Sequence, residues 1–61
     1  NETEAARMNE VKAQGEILGE IVASLRNRPD LYDQRWVSIG ATDLQTGLMA
    51  LIRSIAQPTT F

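Results

Sequence analysis

The sequence predicts an all-α fold: an antiparallel two-helix hairpin that assembles with copies of itself into a compact homo-oligomeric helical bundle. Three observations lead there. Two long segments carry apolar residues at helical spacing, and a short proline-containing break separates them. The chain has 61 residues, no cysteine and no histidine. So small a chain buries little surface and needs a staple. Disulfides are excluded, and a zinc site made only of scattered carboxylates would be unusual. Self-association is the staple that remains. The whole chain, residues 1–61, reads as one helical-hairpin domain.

Helix one is expected over about residues 3–27. Thr3 is a candidate N-cap, and Glu2 and Glu4 suit the positive end of the helix. Met8, Val11, Gly15, Leu18, Val22 and Leu25 alternate in spacings of three and four, which makes a heptad-type seam. Ile17 and Ile21 widen the apolar face. Arg28-Pro29-Asp30 ends the helix, because a residue before proline is pushed away from helical angles.

The connection, about residues 28–33, is short, and short connections make antiparallel neighbours. Helix two is expected over about residues 34–57, with Asp33 as N-cap and Pro58 as the stop signal. Val37, Ala41, Leu44, Leu48, Leu51 and Ile55 form its seam. Trp36 lies on one flank, and Met49, Ile52 and Ala56 on the other. One partner helix does not cover that arc, a second argument for self-association. Trp36 is read as a buried anchor of helix packing, and Tyr32 as a partly exposed loop residue.

All four glycines, Gly15, Gly19, Gly40 and Gly47, fall inside the expected helices. Each costs roughly 0.8–1 kcal/mol against alanine. Either close helix–helix approach or close approach of a ligand to bare backbone would offset that.

Composition narrows the chemistry. The net charge is −2 with six basic residues. That balance disfavours long nucleic acids, whose binding rests on many phosphate contacts. No stretch is apolar for long enough to span a membrane. Catalysis is not expected: Ser24, Ser38 and Ser54 lack a base partner. Glu16 and Glu20, one turn apart, read as a solvated pair rather than an acid couple. Asp43 reads as a partner of a neighbouring protomer or of a helix end. No cofactor and no metal are expected.

Anion binding has two candidate locations. Met8 and Lys12 are one turn apart, with Gly15 and Gly19 adjoining. A phosphate held by the Lys12 ammonium and a base packed on Met8 would fit; a Lys12–Glu16 pair with Met8 in the core is the plainer alternative. On helix two, Arg35, Thr46 and Arg53 share a face, and Gln57 lies one turn beyond Arg53. Copies of Arg53 in a symmetric oligomer would grip phosphates bidentately, whereas a solvated arginine near a helix C-terminus needs no ligand.

Two stretches carry a resemblance. The first is M-N-E-V-K-A-Q-G, from Met8 to Gly15. The second runs from Asp33 to Pro58 and contains R-W-x-x-I-x-x-T-D-L-Q-x-G-x-M-A-L-x-R-x-x-A-x-P. Together they resemble the helical-hairpin domain of phage anti-CBASS and anti-Thoeris sponge proteins. The resemblance implies a non-enzymatic protein that binds cyclic dinucleotides, cyclic trinucleotides or cyclic ADP-ribose isomers without cleaving them. It implies a homo-oligomer, a hexamer foremost, with pockets between protomers, in the cytoplasm of the infected bacterial host. Met8, Asn9, Lys12, Gly15, Arg53 and Gln57 are the candidate ligand-binding residues, and the resemblance bears on Lys12 and Arg53 among them. Lys12 would contact phosphate, and Arg53 would stand near a second, symmetric pocket. The chain departs from some members in having no aromatic residue before Tyr32 to stack a base. Two other readings fit a helical hairpin. One is a structural adaptor that binds a partner helix. The other is a dimeric RNA binder of the kind seen in small plasmid regulators.

Overall fold

The computed structural model describes residues 1–57, which form two helices and no strand: α1, Glu2–Arg26, and α2, Gln34–Ala56. They lie side by side as a hairpin whose Cα trace extends 46 × 22 × 9 Å. Pro58, read as the stop signal, falls outside the described residues.

The start of α1 differs from the sequence expectation. Asn1 caps the helix, not Thr3. Its side chain accepts from the Glu4 N–H at 2.8 Å, and its backbone nitrogen donates to Glu4 Oε2 at 3.3 Å. This capping box needs an acid or amide three residues after the cap. Asn1 has Glu4 there, whereas Thr3 has only Ala6.

The turn is held by local polar contacts. Arg28 donates from Nε and Nη2 to the two carboxylate oxygens of Asp30, at 3.0 and 2.8 Å. The Arg28 carbonyl accepts from the Leu31 and Tyr32 N–H groups, both at 3.0 Å. Asp33 caps α2, its Oδ1 accepting from Arg35 N at 3.0 Å and Trp36 N at 3.2 Å. Gln34 adds a tie that local sequence rules do not show. Its Nε2 donates to the Leu25 carbonyl at 3.1 Å and to the Tyr32 carbonyl at 3.0 Å. The Leu25 carbonyl, in the last turn of α1, also accepts from the Arg28 N–H at 3.3 Å, so Gln34 is an additional donor to it. One amide therefore clamps the end of α1 to the start of α2.

The contact seam follows the expected period on α1. Met8, Val11, Gly15, Leu18, Val22 and Leu25 are all half-buried. On α2 the line shifts. Val37, Ala41, Leu48 and Ile55 are half-buried, but Leu44 is 36% and Leu51 54% exposed, and Ile52 takes the inward place. The Val37–Leu44–Leu51 line drifts about 20° per heptad and carries Leu51 off the seam, whereas Ala41, Leu48 and Ile55 start on its other side and drift within it.

Among the described residues none is fully buried. Trp36, expected as a buried anchor, is 66% exposed because its flank of α2 turns away from α1. Tyr32 is partly exposed, at 43%. Ile17, Ile21 and Met49 are also open to solvent. The glycines divide. A Cβ on Gly15 would stand 3.2 Å from Leu48 Cδ1, so this position serves close helix approach. Gly19, Gly40 and Gly47 meet nothing within 4 Å, so nothing inside the hairpin offsets their cost.

Candidate functional site

The Gly15–Leu48 contact sets the register of the hairpin. Moving seven residues toward the start of α1 reaches Met8; moving seven toward the end of α2 reaches Ile55. The two lie at the same level, because both helices rise about 1.5 Å per residue. Met8, Asn9 and Lys12 therefore share the open end of the hairpin with Arg53 and Gln57.

A shared level is not a shared face. Met8 and Gly15 sit in the seam, half-buried. Lys12 stands on the flank one turn from Met8 and next to Gly15. Asn9 is exposed on the side of α1 away from α2. Arg53 and Gln57 are exposed on the outer side of α2. A single chain thus presents two separate patches, one around Lys12 and one around Arg53, and does not bring all six residues together.

Among the described residues neither cation has an acidic partner. Ion pairs among the described residues join the Asn1 nitrogen to Glu4, Arg7 to Glu10, and Arg28 to Asp30. The Lys12–Glu16 pair does not form. Arg53 lies in the last turn of α2, where the carbonyl ends favour a cation. Gln57 closes that helix. Its N–H donates to the Arg53 carbonyl at 2.7 Å, and its φ of 45° puts a non-glycine residue in the left-handed region.

The flank that carries Lys12 continues into a groove between the helices. Its volume is about 220 Å³. Leu18, Val22, Leu44 and Leu48 line it, with Gly19, Arg26 and Gln45 at its rim. Lys12, Gly19 and Arg26 follow one another at seven-residue steps and so form one stripe of α1. Sequence reasoning singled out Lys12 and passed over Arg26 and Gln45. The seven-residue step from Lys12 was the one available signal for Arg26. Gln45 is brought there only by the pairing of the helices.

The remaining candidates stand apart. Asp43 lines a shallow hollow with Ser38, Ile39 and Thr42 on the outside of α2. Glu16 and Glu20 are exposed. No group of three or more His, Cys, Asp or Glu residues able to hold a metal ion occurs among the described residues. No helix among them is long and apolar enough to cross a membrane.

Two antiparallel helices with a cation-edged groove, exposed apolar flanks and no fully buried residue among those described define an all-α helical-hairpin module. Residues 1–56 match the Acb2/Tad1 hairpin domain, and the chain belongs to that family. It is similar to Anti-CBASS protein 2 of Pseudomonas phage JBD67, with 67% identity over 24 residues. That stretch covers 39% of this chain and 22% of the phage protein. No solved structure matches the chain.

Proposed function

We propose that this hairpin serves phage evasion of bacterial immunity as a sponge. It binds cyclic di- or trinucleotides, or cyclic ADP-ribose isomers, and withholds them without cleavage inside the host cell. The observation that carries the reading is Lys12. Its ammonium has no acidic partner among the described residues and stands beside Met8 and Gly15. A phosphate fits the ammonium, and the thioether of Met8 gives a base a soft apolar contact. Membership of the Acb2/Tad1 hairpin family and the short likeness to a phage anti-CBASS protein support the same reading.

The second part of the proposal is assembly. Arg53 points away from its own α1, so a ring of phosphates is gripped only if copies of Arg53 converge about a symmetry axis. A homo-oligomer, with a hexamer favoured, supplies that convergence and covers the exposed apolar flanks. Asn9 and Gln57 then complete the two pockets as polar contacts.

Titration calorimetry against the three ligand classes tests this, followed by recovery of the ligand from the heated complex. The expected result is saturable binding with the ligand recovered intact. Lys12→Ala removes a charge-assisted hydrogen bond of about 1.5–3 kcal/mol, a loss of roughly ten- to a hundredfold in affinity for one ligand class. Absence of binding by an assembled oligomer overturns the reading and favours a protein-binding adaptor, for which the exposed Trp36, Leu51 and Ile21 would be the contact residues.

A further inference from the structure

The interhelical groove holds groups that the proposed Lys12 and Arg53 contacts leave unused. Arg26 and Gln45 stand at its rim over an apolar floor of Leu18, Val22 and Leu48. Arg26 makes no ion pair with any described residue. Nothing lies within 4 Å of the place a Gly19 Cβ would occupy, so the backbone wall is open to close approach there. At about 220 Å³ and open to solvent along one side, the groove holds part of a small ligand and leaves the rest in water. It suits a flat ring system laid on its floor with a charged group at Arg26. Arg26 is fourteen residues from Lys12, about 21 Å along the helix. That is too far for one phosphate to bridge the two cations.

We propose that this groove, which meets the Lys12 patch only at Gly15, is a second binding site for a small ligand that joins a flat ring to one anionic group, with a nucleoside monophosphate as the chemistry that uses Arg26, Gln45 and the apolar floor together. The guanidinium of Arg26 takes the phosphate through paired N–H donors. The leucine and valine floor receives a face of the base. The Gln45 carboxamide offers one acceptor and two donor hydrogens, the pattern that reads the hydrogen-bonding edge of a base. Gly19 leaves room for the sugar against bare backbone.

The test uses the full chain in its solution assembly, labelled with nitrogen-15. It is titrated with adenosine 5′-monophosphate, adenosine and inorganic phosphate, with and without a cyclic dinucleotide. The monophosphate is expected to shift the Arg26 Nε–H, the Gln45 side-chain amide and the Gly19 backbone N–H. Adenosine alone and phosphate alone bind at least about tenfold more weakly, and Arg26→Gln weakens the monophosphate by about tenfold or more. A saturating cyclic dinucleotide leaves these shifts in place, so failure of the sponge reading and failure of this one are separable. Two results overturn the proposal. One is unmoved Arg26 and Gln45 resonances. The other is break-up of the assembly by both Arg26→Gln and Gly19→Leu, which would make the groove a contact between copies.

Discussion

Arg28 and Asp30 grip one another in the turn through two short hydrogen bonds. The guanidinium holds the Asp30 carboxyl below the usual carboxylate range, and the carboxylate raises Arg28 above its ordinary value. Both groups are exposed, so solvent screening leaves them little weight in stability. The sign of the pH effect still follows. A depressed folded pKa means a contribution that is complete above the unfolded value of about 4 and is lost as pH falls through the lower folded value. Carbon-13 titration of the Asp30 carboxyl is expected to fall below the usual range, and Arg28→Gln to bring it back up. An unchanged titration in Arg28→Gln would show that the pair does not persist in solution. The glycines make a second point at this scale. All four look alike in the sequence, yet only Gly15 touches the facing helix. The difference is rotation about the helix axis, which no single residue reveals.

At the scale of the elements, caps and hinge govern the hairpin. Asp33 satisfies two of the free N–H groups of α2, and Gln34 gives the carbonyl of Leu25 a further donor across the turn. Asp33→Ala is expected to cost about 1 kcal/mol. For a chain of this size that lowers the melting midpoint by roughly 4–8 °C, read by circular dichroism at fixed protein concentration. A midpoint unchanged within error would mean that the cap is replaced by water or a neighbour. The helices and their turn were legible beforehand because caps, proline and periodicity act over about four residues. The Asn1 cap was misread as Thr3, although Glu4 three residues on was the signal for it. Gln34 was not legible. Its partner lies nine residues back and meets it only when the chain doubles over.

The backbone is a thin slab, 9 Å in the shortest extent of its Cα trace, with no fully buried residue among those described. One apolar layer between two helices offsets little of the ordering entropy. The proposed assembly would supply the rest. The melting midpoint is expected to rise with protein concentration, because anything that binds only the folded chain stabilises it by mass action. Leu51→Asp, on the exposed flank, is expected to shift sedimentation toward the single chain and to abolish the helical signal at low concentration. A midpoint independent of concentration, with Leu51→Asp unaffected, would remove self-association from the account. The candidate site divides at this scale. Lys12 and Arg53 were legible as cations at the right period, but not that they face different ways. That depends on the register in which α1 meets α2.

By itself the sequence determined what local rules determine: two helices, the hinge at Pro29, the Asp33 cap and the half-buried face of α1. Each follows from interactions between residues three or four apart. The tertiary structure decided what depends on two distant segments meeting. It turned Leu51 out and Ile52 in, left Trp36 open and set Gly15 against Leu48. It also brought Arg26 and Gln45 to one groove. The physical reason is that a helix's period says which residues share a face, whereas only packing against another helix says which face is covered.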